Sequence, residues 1–209
     1  MTEGFLSGRT AMVTGGASGM GRAMALAFAG AGADVAIGSL IADRAHAKAE
    51  GELVYTPGRA ELDATAKAIE SRGVKALASD LDVTSPQSVE AFFEATIDAF
   101  GKVDIVANAA GITAEQMVSG HPDPLWDKVI DVNLNGTYRT IKLCLPGMIA
   151  RKWGRIINIA STAASVGAPT SAAYCASKAG VVGLSRCVAL EGAAHGVSCN
   201  AISPTWVET

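Results

Sequence analysis

A chain of 209 residues is long enough for one full α/β domain and awkward for two. Hydrophobic residues make up 49% and charged residues 18%, the reverse of a disordered chain; 17 Lys plus Arg against 20 Asp plus Glu leave a net charge of -3 and no basic surface for nucleic acid. Mean hydropathy is +0.29, yet no apolar run reaches the roughly 18 residues of a membrane span.

In chain order, short apolar runs alternate with longer helical patterns. Arg9–Thr14 is predicted as a strand, a glycine-rich turn follows, and Gly19–Gly30 is predicted as a helix. Strands are then expected over Asp34–Ile37, Val74–Ala78, Val103–Ala107, Arg155–Ile159 and Val197–Ile202. Helices are expected over Glu61–Ser71, Pro86–Phe100, Pro124–Met148 (with Pro146 near its end) and Ser171–Ala194. The strands are continuous apolar runs, so both sheet faces must be covered. The pattern predicts a Rossmann-type, doubly wound parallel sheet in three α/β/α layers, as a single domain over 1–209. The segment 38–59 is too long for a βα connection and is read as a surface excursion.

Cys144, Cys175, Cys187 and Cys199 have no paired spacing, which predicts buried free thiols in a reducing compartment. Met1–Arg9 carries Glu3 and no apolar run, so no secretion signal is expected and the protein is read as cytoplasmic. His46, His121 and His195 are scattered and match no metal pattern. Trp126 and Trp153 are read as core or rim, and Trp206 as a residue that could touch substrate.

The chemistry concentrates in a few motifs. Thr14, Gly15, Ser18, Gly19, Met20 and Gly21 lie where the first strand turns into the first helix. A tight turn there lets a phosphate approach the backbone, and the helix N-terminus adds free N–H groups and partial positive charge. Tyr174 and Lys178 are four residues apart and share one helix face. A free phenol, with a pKa of about 10, is a poor base at neutral pH, and a nearby ammonium favours its ionised form. The pair is therefore a proton-transfer unit in form.

The glycine spacing Gly15-x3-Gly19-x-Gly21, the Asn108-Ala109-Ala110-Gly111 run and Tyr174-x3-Lys178, in that order, resemble the short-chain dehydrogenase/reductase family over essentially the whole chain from Ser7. The resemblance implies an NAD(P)-dependent oxidoreductase acting on a small-molecule carbonyl or secondary alcohol, with Tyr174 as general acid/base. It also implies that Ser161 holds the substrate oxygen, with Thr162 as the rival. Asn133 would hold a relay water near Lys178, with Asn135 as the rival. Lys178 would also bind the nicotinamide ribose. Asp82 would take the adenine amino group beside Val83, with Asp80 as the rival. Asn108–Gly111 would support the sheet and line the ribose. Pro204, Val207 and Thr209 match the family's Pro-x-x-Val-x-Thr cofactor loop.

At the end of the second strand the family's NAD users carry a carboxylate, and this chain has Ser39. No carboxylate repels a 2′-phosphate there, and Arg22 or Arg44 could reach it, so NADP(H) is expected over NAD(H). The resemblance further implies a homo-oligomer, tetramer or dimer, through the two long helices. Two departures stand out. Thr205 replaces the family's Gly after Pro204, and by resemblance the C-terminal strand and lid are missing from these residues. The second reading is accordingly a non-catalytic dinucleotide-binding or oligomer-forming relative.

Overall fold

The computed structural model describes residues 4–44 and 48–207, except the side chain of Arg44; His46 and Thr209 lie outside the described residues. The strands are β1 (Thr10–Thr14), β2 (Asp34–Ser39), β3 (Glu52–Leu53), β4 (Ala76–Asp80), β5 (Ile105–Asn108), β6 (Thr113–Ala114), β7 (Gly154–Ile159) and β8 (Val197–Ile202). The helices are α1 (Gly19–Gly30), α2 (Arg59–Glu70), α3 (Pro86–Phe100), α4 (Asp123–Ile130), α5 (Gly136–Ala150), α6 (Ala163–Val166) and α7 (Ala172–Ala193).

Six strands form one parallel sheet in the order β4-β2-β1-β5-β7-β8. The order reverses between β1 and β5, which opens a crevice at their carboxyl ends. Side chains alternate across the sheet. Met12 joins Phe92, Ile141, Met148, Ile156 and Val188 in a core under α3, α5 and α7. Ala11 and Val13 join Ala25, Ile37, Leu62 and Ile69 under α1 and α2. Both faces are thus covered along β1 and β2, which is why their apolar runs do not alternate with polar residues.

Local chemistry sets the element ends. Ser85 Oγ accepts the N–H of Ser88 at 3.2 Å, Pro86 opens α3, and Gly101 closes it at φ 78°. These are the bounds that the sequence predicts. The region 124–148 departs from expectation. It is helical throughout, but Asp131–Asn135 winds as a π-helix between α4 and α5. That insertion turns Asn133 inward, fully buried.

The segment 38–59 departs further. It begins with the end of β2, makes a short 3-10 turn at Ala42–Arg44, and pairs β3 antiparallel with β6. Glu52 in that ribbon is buried, and its two carboxylate oxygens lie 2.7 and 2.8 Å from Lys128 Nζ on α4. A period too short to register as a strand hides this ribbon in the sequence. Among the described residues no helix is long and apolar enough to cross a membrane.

Candidate active site

The crevice is a cleft of about 710 Å³ at the carboxyl edge of β1, β2 and β5. Gly15, Ser18, Gly19, Met20 and Gly21 line it on one side. Asp82 and Val83 line it beyond β4, and Ala109, Ala110 and Gly111 line it after β5. Gly15 sits at φ 68°, and a Cβ there would come 2.8 Å from Ala110 N. A Cβ on Gly21 would come 2.1 Å from Gly15 O. Both contacts are with backbone, which cannot yield cheaply. Ser18 starts α1 in extended conformation without a side-chain cap, so the first-turn N–H groups stay available at the cleft. A bare backbone cradle at a helix N-terminus fits a dinucleotide's pyrophosphate.

Other residues of the sequence-derived set serve the walls. Thr14 Oγ1 accepts the N–H of Ala109 and of Ala110, each at 3.2 Å, and so ties the loop after β5 to β1. Ser39 is buried, and its hydroxyl accepts the N–H of Ala17 at 3.0 Å. It braces the glycine turn as well as lining the cleft. Asp82 Oδ1 accepts from Thr84 N and Thr84 Oγ1 at 2.9 and 2.7 Å. Asp80 does not line the cleft; its Oδ1 accepts from Ile41 N at 3.4 Å. Arg22 is exposed on α1 and does not line the cleft either.

Asn108 turns away from the cleft. Its amide donates to Asn158 Oδ1 at 2.8 Å, and its oxygen accepts from Thr140 at 2.6 Å. Asn158 in turn donates to Ser185 Oγ at 2.9 Å. This buried chain joins β5, β7, α5 and α7. The sequence reading missed Asn158, Thr140 and Ser185. The available signal was one Asn inside the apolar run Ile156–Ile159, since a buried amide must find partners.

At the other end, Lys178 is buried, and its Nζ donates to Ile159 O at 2.7 Å. Nζ lies 5.6 Å from the centre of the Tyr174 ring and 3.5 Å from where a Gly111 Cβ would stand. Burial pushes the Lys178 ammonium down to a pKa of about 8. Asn133 Oδ1 accepts Ile112 N, while its amide donates to Ile112 O and Ser177 Oγ, all at 2.9 Å. Both amide protons are taken, so a water there would have to donate to Asn133 rather than accept from it. Asn135 is exposed and donates to Asp131.

Ser161 is half-buried at the end of β7, and its Oγ accepts Ala163 N at 3.2 Å, which leaves its own proton free to donate. The Thr162 hydroxyl instead donates to Pro204 O at 3.4 Å. Pro204 O also accepts Thr162 N, and Val207 is exposed beyond it. The structure therefore brings Lys178, Asn133, Gly111 and Tyr174 together, and holds Pro204 against the residue after Ser161. The four cysteines are free; Cys144 and Cys199 are buried as expected, whereas Cys187 is exposed. Among the described residues no His, Cys, Asp and Glu cluster could hold a metal.

A doubly wound sheet with a glycine-lined crevice at its switch point defines a dinucleotide-binding α/β protein. The chain belongs to the short-chain dehydrogenase family, whose profile matches residues 36–209. It is 37% identical over 205 residues to D-beta-hydroxybutyrate dehydrogenase of Cupriavidus necator, covering 98% of this chain and 73% of that protein. It is 33% identical over 199 residues to the 3-oxoacyl-acyl-carrier-protein reductase FabG of Staphylococcus aureus, covering 95% and 74%. Carveol dehydrogenase from Mycobacterium avium, solved in complex with NAD, superposes with a TM-score of 0.91 at 27% identity, over 99% of this chain and 73% of that one. The protein is an NAD(P)-dependent oxidoreductase that interconverts CH–OH and C=O groups.

Proposed function

We propose that Tyr174 is the general acid/base of this oxidoreduction, with Lys178, Ser161 and Asn133 as its partners. The supporting observation is the buried Lys178 ammonium, 5.6 Å from the Tyr174 ring and fixed by Ile159 O. A nicotinamide cofactor, when bound, supplies or accepts the hydride. The chain's own groups handle the proton and the oxygen. Ser161 donates to the carbonyl oxygen and steadies the negative charge that develops there. Tyr174 gives the oxygen its proton in reduction and takes it back in oxidation. The Lys178 ammonium stabilises negative charge on the Tyr174 oxygen. Asn133 clamps Ile112, which keeps Gly111 and the floor beneath Lys178 in register, and it offers lone pairs to a relay water.

The cofactor is held by Thr14, Gly15, Ser18, Gly19, Met20 and Gly21 at the phosphates, and by Asp82 and Val83 at the adenine. Ala109–Gly111 face the ribose, with Asn108 bracing them from behind. Pro204 and Val207, in the Pro-x-x-Val-x-Thr pattern that Thr209 completes in the sequence, would contribute to holding the nicotinamide end. NADP(H) is preferred over NAD(H), because β2 ends on Ser39 rather than on a carboxylate. The protein works in the cytoplasm, consistent with four free thiols. It assembles as a homo-oligomer through α5 and α7, which expose Tyr138 and Leu190.

Tyr174→Phe tests the central assignment. Turnover should fall by at least ~1000-fold, while cofactor fluorescence titrates with an unchanged Kd. Turnover within tenfold of the parent protein would remove Tyr174 from the mechanism. The same titration with NADH and NADPH tests the cofactor preference, and light scattering tests the assembly.

A further inference from the structure

The π-turn Asp131–Asn135 closes on a bond from Gly136 N to Asp131 O. Such turns inside helices are rare and concentrate at functional sites. Arg139, in the first turn of α5, reaches back to the same residue. Its Nη2 donates to Asp131 Oδ1 at 2.7 Å, and its Nη1 lies 3.5 Å from Asp131 O. Nη1 also donates to Val83 O at 3.0 Å, in the loop after β4.

The two segments so joined do different work. Val83 is buried and lines the cofactor cleft beside Asp82. Its carbonyl accepts no other hydrogen bond among the described residues. Val83 also packs on Gly136, where an added Cβ would come 2.8 Å from Val83 Cβ. The π-turn carries Val132, which lines the same cleft, and Asn133, which is buried against Ile112 and Ser177. Thr137 Oγ1 donates to Asn133 O at 2.8 Å, so the first turn of α5 grips the π-turn at two residues. The Arg139 side chain is only 21% exposed, which sets it apart from a loose surface ion pair. A guanidinium donates from several N–H groups in fixed directions, so it can hold a carboxylate and a distant carbonyl at once, as one ammonium cannot.

We propose that Arg139 is a positioning residue that sets the adenine wall at Val83 against the π-turn that turns Asn133 inward. The seat of the cofactor and the floor beneath Lys178 then keep one spacing. The proposal rests on the roles of Val83 and Asn133 given above. Arg139 does not line the cleft and acts only through Val83 and Asp131.

Two readouts test it in Arg139→Met and Arg139→Lys. The first is the Kd of ADP-ribose or its 2′-phosphate, whichever the parent protein binds more tightly, which reads the adenine wall without a nicotinamide. The second is amide exchange at Ile112, whose N–H donates to Asn133 Oδ1. Arg139→Met orphans Val83 O and leaves Asp131 unpaired, so the Kd should rise and Ile112 exchange should speed, each at least ~10-fold. Arg139→Lys keeps a charge for Asp131 and loses the second arm. It should restore Ile112 exchange and leave the Kd raised. A general loosening of the fold would move both readouts together in both variants, and that outcome overturns the proposal. So does a Met variant that lowers Tm yet keeps the parent value in either readout, or a Lys variant that matches the parent in both. In each of these cases the parent protein still binds its probe, and the cofactor reading stands. A parent protein that binds neither ADP-ribose nor its 2′-phosphate removes the adenine wall itself, and the proposal with it.

Discussion

At the glycine turn the chain makes room by leaving side chains out, whereas around Lys178 it holds position by burying polar groups and satisfying each one. On the nucleotide side, Gly15 and Gly21 face backbone atoms at 2.8 and 2.1 Å from any added Cβ. On the catalytic side, Asn133, Asn108 and Asn158 spend their amides on named partners from other elements. Among the described residues His121 Nε2 alone is a buried side-chain atom without a partner. One half therefore fails by collision and the other by an orphaned hydrogen bond. The first kind of failure is abrupt, and the second is graded by how many partners are lost.

The largest effect should come from breaking the first half. Gly21→Val drives a branched side chain into Gly15 O, so the turn must move by an ångström or more. Cofactor Kd should rise at least ~100-fold by fluorescence titration. An unchanged Kd would mean that the turn does not hold the phosphates.

Asn133→Ala breaks the second half. It orphans Ile112 N and Ile112 O and removes a donor to Ser177. The cost should be about 3 kcal/mol, a fall in Tm on the order of 10 °C by calorimetry. A loss of activity at unchanged Tm would make Asn133 a chemical rather than a structural clamp.

Lys178→Met sharpens the contrast, because here the buried group is itself a cost. Its folded pKa of about 8 lies below the ordinary lysine value, so between these two the unfolded chain binds more protons. The penalty is complete below about pH 8 and disappears as pH rises through the unfolded pKa of about 10.4. It is on the order of 3 kcal/mol, offset in part by the lost bond to Ile159 O. Replacement should therefore abolish turnover, raise Tm at pH 7, and leave little difference above about pH 10. A lower Tm at pH 7 would show that the hydrogen bond outweighs desolvation.

The smallest effect belongs to the ribbon. Glu52→Gln keeps shape but removes the charge facing Lys128, which should cost about 1–2 kcal/mol. It should speed hydrogen exchange at Glu115, whose N–H donates to Gly51 O across the ribbon, without moving the global transition. Exchange equal to the parent protein would make the ion pair incidental.

The six sheet strands and the five helical regions, over α1, α2, α3, α4 with α5, and α7, were legible because each carries a local signal. Apolar runs gave the strands, 3.6-residue periodicity gave the helices, and Ser85, Pro86 and Gly101 punctuated α3. The small elements were not legible. The two-residue strands β3 and β6 exist only because each pairs with the other, and two residues have no period. Part of the site was visible as spacing: the glycine turn and the i, i+4 relation of Tyr174 to Lys178. The rivals were not separable on that basis. Only the fold commits the Thr162 hydroxyl to Pro204 O, leaves the Ser161 proton free, and puts Asn133 inside while Asn135 stays outside.

The sequence by itself determined the layer order, the location of the glycine turn and the placing of Tyr174 and Lys178 on one helix face, because those follow from periodicity and from fixed spacing within one element. The tertiary structure decided which buried amides brace the site, how far desolvation lowers the Lys178 pKa, and where the ribbon crosses to β6. Each of those depends on groups tens of residues apart in the chain, and no local pattern encodes the partner that a buried polar atom will find.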